Sequence, residues 1–277
     1  MDNRPIGFFD SGLGGLTCIP YLLRALPSER IVYFGDTART PYGSKAPATI
    51  RKFASEITDF LIETQDVKMV AIACNTVSAV ALDELRGRHP ETPILGIITP
   101  ASHRIANTCT AENHIGVIGT KATIASEVYP KTILGAHPGL SVHQQACPAL
   151  VPLIEEGISR SDIMDLTIKH YLDTFVGEGC IDVLVLGCTH YPLIRENIER
   201  LYPALHIIDP SEEMLDSIKD ALGSHSLYAD KQEPNHVFYA SDLSENFINM
   251  IDLIFSGTGY PVAFSTFDLE TFLERKG

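Results

Sequence analysis

The 277-residue sequence has no C-x-x-C pair, no run of basic residues and no apolar stretch approaching the ~18 residues that span a bilayer. Its start, Met1-Asp2-Asn3-Arg4-Pro5, lacks the apolar segment of a signal peptide. With no leader and no regular cysteine framework, the six cysteines are expected to be reduced thiols in a cytoplasmic protein. Lys and Arg (21) are outnumbered by Asp and Glu (35), giving a net charge of −14, so neither nucleic acid nor a membrane is expected as a partner. A small anionic substrate is compatible with that charge, because backbone N–H groups can hold it locally. Hydrophobic residues make up 45% and charged residues 20%, enough for a sizeable core in one large domain or two of ~100–150 residues.

What is present is organised around Met69-Val70-Ala71-Ile72-Ala73-Cys74-Asn75-Thr76. The unbroken apolar run reads as a buried strand of a parallel sheet, and Val77, Val80, Ala81 and Leu85 after it have helical spacing. Cys74 is thereby expected at the carboxyl end of a central strand, beside a helix N-terminus, where open α/β sheets hold their ligands. The design recurs in Asp182-Val183-Leu184-Val185-Leu186-Gly187-Cys188-Thr189-His190.

Strands predicted at Ile6–Phe9, Ile31–Phe34 and Ile94–Ile98 alternate with helices, and the pattern restarts at His114–Gly119, with a further strand at Val142–Gln145. Asp10 and Cys74 are 64 residues apart; Gly119 and Cys188 are 69 apart. The chain therefore reads as α/β, with two similar doubly wound parallel-sheet lobes related by a pseudo-two-fold axis and an active site in the cleft between them. Lobe A is expected to take residues 1–98 and 211–277, because a late strand at His236–Ala240 returns to it; lobe B takes 99–210. The three glycines Gly12, Gly14 and Gly15 are expected to let the backbone approach a ligand closely. The helix before the Cys188 strand is read from Ile163, Leu166, Ile168, Tyr171, Leu172 and Phe175. Ser211 is expected to cap the helix that starts at Pro210. The tail from Gly257 to Gly277, with Phe267, Phe272 and Leu273, is expected to cap the core or to join an interface.

Two thiols at equivalent junctions suit one kind of chemistry. Inverting a stereocentre by proton transfer takes a proton from one face and delivers one to the other, so each face needs its own acid/base group. A thiol, with a pKa near ~8.5 that falls beside a helix N-terminus, can serve as either partner near neutral pH. Asp10, ending the first strand, and His190, two residues after Cys188, can each help to ionise a thiol or order a water. Asn75, Thr76, Ser11 and Thr189 offer donors around the carbanion that forms when an amino acid loses its α-proton. No lysine motif for pyridoxal stands out, so the thiols would work without an electron sink and no cofactor is expected. No metal is expected, because Cys74, Cys188 and His190 lack the close C-x₂₋₄-C spacing of structural zinc. Redox exchange between the two cysteines is a further reading. Cys18, Cys109 and Cys180 read as small buried hydrophobes. Glu155 and Glu156, taken alone, read as solvated.

Five motifs stand in order: Phe9-Asp10-Ser11-Gly12-Leu13-Gly14-Gly15; Gly35-Asp36-Thr37-Ala38-Arg39-Thr40-Pro41-Tyr42-Gly43; Ala73-Cys74-Asn75-Thr76; Cys147-Pro148 through Val151-Pro152-Leu153-Ile154-Glu155; and Gly187-Cys188-Thr189-His190-Tyr191-Pro192. Together they resemble the glutamate racemases of the cofactor-independent aspartate/glutamate racemase superfamily, from Ile6 to about Phe255. The resemblance implies that Cys74 and Cys188 are the two proton donor/acceptors, that Asp10 assists Cys74, and that His190 and Glu155 serve the Cys188 side. It implies a substrate lining of Asp10, Ser11, Tyr42, Gly43, Asn75, Thr76, Thr120, Thr189 and His190, a homodimer, and a supply of D-glutamate for peptidoglycan. The first motif lies close to Met1, so the N-terminal extension of members activated by a cell-wall precursor is expected to be missing. The tail after Phe255 is longer than the resemblance leads one to expect. Aspartate racemase or another two-cysteine isomerase, a non-catalytic binder with a racemase-like cleft, and a Cys-His hydrolase remain as alternative readings.

Overall fold

Each long apolar run becomes a buried strand, and the strands gather into two parallel sheets in a computed structural model that describes residues 1–230, 235–256, 258, 260 and 262–276. The first part of the chain supplies β1 (Ile6–Asp10), α1 (Ile19–Ala25), β2 (Ile31–Gly35), α2 (Pro47–Glu63), β3 (Met69–Ile72), α3 (Asn75–Val80), α4 (Leu82–Arg88), β4 (Ile94–Gly96) and α5 (Ile98–Thr108). The middle supplies β5 (His114–Gly119), α6 (Lys121–Ser126), α7 (Val128–Ala136), β6 (Ser141–Ala146), α8 (Leu150–Glu155), α9 (Asp162–Gly179), β7 (Val183–Gly187), α10 (Arg195–Leu201), β8 (His206–Ile208) and α11 (Pro210–Ser224). The chain ends with β9 (Val237–Ala240), α12 (Glu245–Phe255), β10 (Phe264–Thr266) and α13 (Leu269–Lys276).

The strand orders reveal the internal repeat. The smaller sheet runs β6-β5-β7-β8, and the larger sheet contains the matching order β2-β1-β3-β4, extended past β2 by β9 and β10. All these pairings are parallel. Equivalent third strands, β3 and β7, lead directly into Cys74 and Cys188. The fold is thus α/β, with two similar doubly wound lobes. The chain reverses direction across each sheet beside β1 and β5, so a crevice opens at the carboxyl ends of these strands.

Helix packing joins the lobes. One apolar cluster runs from Phe8 and Ala71 of the larger sheet through Ala101 and Ile105 of α5, Ile133 of α7 and Ile218 and Leu222 of α11 to Val117 and Val185 of the smaller sheet. Separate clusters fill the outer faces, against α2 and α3 on one sheet and against α8, α9 and α10 on the other.

Several local expectations are corrected. Strand β4 stops at Gly96, because Ile97 and Ile98 already turn into α5. Pro100 fits the first turn of that helix, where an amide N–H would have no intrahelical partner. The cap of α11 is Asp209, whose carboxylate accepts the Ser211 N–H at 2.8 Å, and not Ser211 itself. Helix α9 buries Met164, Ile168 and Leu172, at a spacing of four, and leaves Ile163 56% and Leu166 67% exposed. Cys18 is buried, but Cys109 is only partly so, and Cys180 is exposed at a left-handed C-cap of α9 with φ 48°. The tail packs on the larger sheet: Phe267 lies tilted against Phe60 with ring centroids 4.6 Å apart, and Phe272 and Leu273 join the same cluster. Gly257, Gly259, Pro261 and Gly277 lie outside the described residues. Among the described residues no helix is long and apolar enough to cross a membrane.

Candidate active site

The crevice between the lobes holds a cavity of about 250 Å³, and both Cys74 and Cys188 line it. That is below the ~300–1,000 Å³ of pockets for drug-sized ligands, so it suits a small molecule. Ser11, Tyr42, Gly43, Asn75 and Thr76 line it from the first lobe, and Thr120, Thr189 and His190 from the second. Asp10 and Glu155 are not part of its wall. Asp10 is fully buried beneath it, and Glu155 reaches His190 from behind.

Cys74 follows Ala73 in the link between β3 and α3 and is the N-cap of α3, with extended backbone at φ −69° and ψ 119°. Its thiol donates to the Ser11 hydroxyl at 3.4 Å. Burial pushes this thiol well above its ordinary range, the Asp10 carboxylate adds to the shift, and hydrogen bonds from Ser11 and the Val77 amide offset only part of it. The sequence suggested the opposite, a thiol eased toward ionisation by its helix N-terminus and by Asp10. The short α3 does supply a hydrogen bond, but desolvation is the larger effect.

Cys188 follows β7 and precedes a short 3-10 turn, Tyr191–Ile194, before α10. Its sulfur lies 3.8 Å from His190 Nδ1, and His190 Nε2 lies 3.1 Å from Glu155 Oε1. Burial alone would hold the imidazole neutral. Its contacts with Cys188 and Glu155 outweigh burial and raise His190 well above the usual histidine range. The arrangement is a carboxylate–imidazole–sulfur line, the Glu155 end supplied by the last residue of α8.

Asp10 connects the two halves. Its Oδ2 accepts the Gly15 amide at 2.9 Å and the Thr189 hydroxyl at 3.4 Å, while Oδ1 is buried without a partner. A Cβ on Gly14 would stand 2.6 Å from both His190 Nδ1 and Thr189 Oγ1. At Gly14 the glycine turn therefore admits the opposite lobe. Gly43 does the same on the other rim, where a Cβ would come within 2.5 Å of Thr120 Cβ. Thr120 Oγ1 in turn lies 3.0 Å from Thr76 Oγ1.

Tyr42 contributes its ring and backbone, because its hydroxyl is engaged by the Asp36 carboxylate. Asp36 also accepts Arg39 Nε at 2.7 Å and the Ser241 hydroxyl at 3.0 Å, tying the loop to the end of β9. Sequence reasoning missed Thr40, Ser44, Lys121, Val151 and Cys147 as wall residues. Cys147 was signalled by its Pro148 motif but had no assigned place; burial and the neighbouring Cys188 push its thiol up to about 12. Among the described residues, no group of three or more His, Cys, Asp or Glu side chains is arranged to hold a metal ion.

Two similar lobes with a cysteine at each equivalent strand end, facing one small cavity, define a class, and the sequence comparisons agree with it. The Asp/Glu/Hydantoin racemase family profile matches residues 17–218, and the chain belongs to that family. It is 40% identical over 252 residues to a glutamate racemase from Geobacter metallireducens, covering 90% of this chain and 92% of that one. It is 44% identical over 263 residues to a glutamate racemase from Chlorobaculum tepidum, covering 94% of each. In three dimensions it is similar to the glutamate racemase from Francisella tularensis solved in complex with D-glutamate. The TM-score is 0.90 at 38% identity, covering 98% of this chain and 100% of that one.

Proposed function

We propose that this protein interconverts L- and D-glutamate by cofactor-independent proton transfer at the α-carbon, with Cys74 and Cys188 acting on opposite faces. The observation that carries this reading is that both cysteines line one cavity of about 250 Å³. The sulfur on one face, as thiolate, takes the α-proton while the C–H electron pair passes to the α-carbon. The thiol on the other face gives its proton to that pair. The product is the mirror image, and the two sulfurs have exchanged protonation states. Burial favours the thiol form of Cys74, which is the donor for one enantiomer and the acceptor, as thiolate, for the other.

The neighbours have complementary tasks. The His190 imidazolium, braced by Glu155, supplies positive charge against a thiolate developing at Cys188 and can exchange a proton with it. Asp10 orders the Thr189 hydroxyl and the glycine turn, and its free Oδ1 gives Cys74 a nearby proton acceptor. Ser11, Asn75, Thr76, Thr120, Thr189 and the Tyr42–Gly43 backbone surround the substrate with donors that stabilise the carbanion. We further place the enzyme in the cytoplasm as a homodimer supplying D-glutamate for peptidoglycan, with lobe A at residues 1–98 and 211–277 and lobe B at 99–210.

The test is solvent exchange. In deuterium oxide the protein should place deuterium at Cα of both glutamate enantiomers while the circular dichroism of either decays to zero. L-aspartate, run alongside, should react far more slowly. Glutamate recovered without α-deuterium would remove the reading.

A further inference from the structure

Asn75 is 2% exposed and sits in the cavity wall, yet the two ends of its amide have different fates. Its Oδ1 accepts the hydroxyl of Tyr129 at 2.7 Å. Its Nδ2 is buried with no hydrogen-bond partner. An unpaired buried N–H group is costly, and such groups call for an explanation. A primary amide that rotated by 180° would exchange the two ends and present an acceptor where a donor now stands. The Tyr129 hydroxyl, fixed by full burial of its ring on α7, opposes that rotation.

On the reading that the cavity binds and racemises glutamate, we infer that Tyr129 is a positioning residue that locks the Asn75 amide with Nδ2 as the free donor, aimed at an anionic oxygen of the substrate. The lock comes from the opposite lobe, since α7 follows β5 and Asn75 follows β3. The hydroxyl is a dependable donor because burial pushes the phenol well above its usual range, so it keeps its proton across the working pH. A neighbouring hydroxyl cluster supports the same junction. Thr76 Oγ1 lies 3.0 Å from Thr120 Oγ1 and 3.3 Å from Thr123 Oγ1, again lobe to lobe. The second lobe thus orients two consecutive donors that the first lobe carries. Neither Tyr129 nor the direction of the Asn75 amide is visible in the motif Ala73-Cys74-Asn75-Thr76.

The test variant is Tyr129→Phe, which keeps the ring and removes only the oxygen. Racemisation by Y129F should fall about tenfold in kcat/KM, as expected for loss of one orienting hydrogen bond. In an Asn75→Ala background the same change should alter kcat/KM by less than about twofold, because Tyr129 then has nothing to orient. A full, additive loss in that background would mean that Tyr129 acts by packing, and would overturn the inference. So would Y129F with wild-type kcat/KM. A wild type that places no deuterium in glutamate would instead overturn the racemase reading. A further measurement needs no turnover. In ligand-free wild type the Asn75 side-chain amide, assigned by its loss in N75A, should give one sharp ¹⁵N–¹H pair. In Y129F the pair should broaden or double as the amide begins to rotate, and an unchanged pair would overturn the inference. If Y129F does not fold, saturating wild type with glutamate decides: the Asn75 pair should shift as Nδ2 gains an acceptor, and no shift overturns the inference.

Discussion

Cys74 and Cys188 occupy the same place in two copies of one topology, but their surroundings differ. Among the described residues, no imidazole is hydrogen-bonded to Cys74. Its thiol gives a hydrogen bond to Ser11, and burial together with the Asp10 carboxylate favours the protonated form. The sulfur of Cys188 lies against His190, which is held by Glu155 and raised toward the imidazolium. The backbone duplication fixes where the two sulfurs stand, and the side chains decide in what state each one waits. Enantiomers have equal free energy in water, so the overall equilibrium constant is one whatever the site does. Any asymmetry must therefore appear in the half-reactions, in exchange at one face or in kcat and KM separately.

The most severe way to probe that difference is to remove one sulfur at a time. Cys74→Ser and Cys188→Ser should each lose racemisation by about 10²–10⁴-fold, the usual range for a general acid–base group. Each should keep residual deuterium exchange for one enantiomer only, with opposite preferences, because the surviving thiol can still take and return a proton on its own face. The checks are circular dichroism for inversion and proton NMR for exchange. Racemisation left intact in either variant, or the same enantiomer exchanging in both, would show that the two strand ends do not act on opposite faces.

Next in size is the His190 brace. Glu155→Gln removes one of the two contacts that raise the imidazole, and should lower kcat about tenfold, in keeping with loss of a hydrogen bond to a charged group. It should also move the alkaline limb of kcat to lower pH. The same group leaves a mark on stability. His190 is raised in the folded state above an unfolded value of about 6.5, so its contribution is fully present below that pH and is lost as pH climbs through the folded value. The melting-temperature gap between wild type and E155Q should be widest near pH 6 and narrow toward alkaline pH. A gap independent of pH would assign Glu155 to packing alone. The corresponding measurement on the Cys74 side has no histidine to report.

Sequence patterns carried the backbone part of this comparison much further than the side-chain part. The apolar runs ending at Cys74 and Cys188 became β3 and β7 because a fully buried parallel strand has to be apolar on both faces. The parallel pairing within each sheet follows from the alternation of strands and helices. The helix α9 was legible from Ile163, Leu166, Ile168 and Leu172, but its buried face was not, since only packing against the smaller sheet buries Met164, Ile168 and Leu172 and leaves Ile163 and Leu166 exposed. Asp209 was overlooked as a cap because Ser211 stands two residues later with equally suitable chemistry. The proton affinity of Cys74 was misjudged for a related reason: a helix N-terminus is legible in sequence, but the depth of burial is not. Likewise Glu155 gains meaning only when α8 folds against the turn carrying His190. Tyr129 lies 54 positions from Asn75, and no local pattern connects them.

Two glycines at the lobe boundary give a matched pair of smaller perturbations. Gly14→Ala would put a methyl group 2.6 Å from His190 Nδ1, and Gly43→Ala would put one 2.5 Å from Thr120 Cβ. Overpacking of this kind costs about 1–3 kcal/mol. The first should lower kcat and disturb the half-reaction at Cys188, because the displaced group is the imidazole. The second should raise KM for both enantiomers alike, because Thr120 and the Tyr42–Gly43 loop form a wall common to both directions. Steady-state kinetics with each enantiomer separates the two, and identical profiles for G14A and G43A would erase the distinction between handed and shared parts of the site.

The mildest change tests the shared wall alone. Tyr42→Phe keeps the ring against the cavity and removes the hydroxyl that engages Asp36. Asp36 is fully buried, and burial already raises it, with Arg39, Tyr42 and Ser241 offsetting part of that cost. Taking away one of these donors should destabilise the protein by about 0.5–1.5 kcal/mol. It should loosen the loop that carries Gly43 and raise KM two- to fivefold, on the order of what one such hydrogen bond supplies. Since the Tyr42 hydroxyl bonds to Asp36 and to none of Ser11, Asp10, His190 and Glu155, the ratio of deuterium exchange between L- and D-glutamate should match wild type, whereas each cysteine variant distorts it. A skewed ratio in Y42F would mean that the loop belongs to one face after all, and that the asymmetry of the site extends beyond Ser11, Asp10, His190 and Glu155.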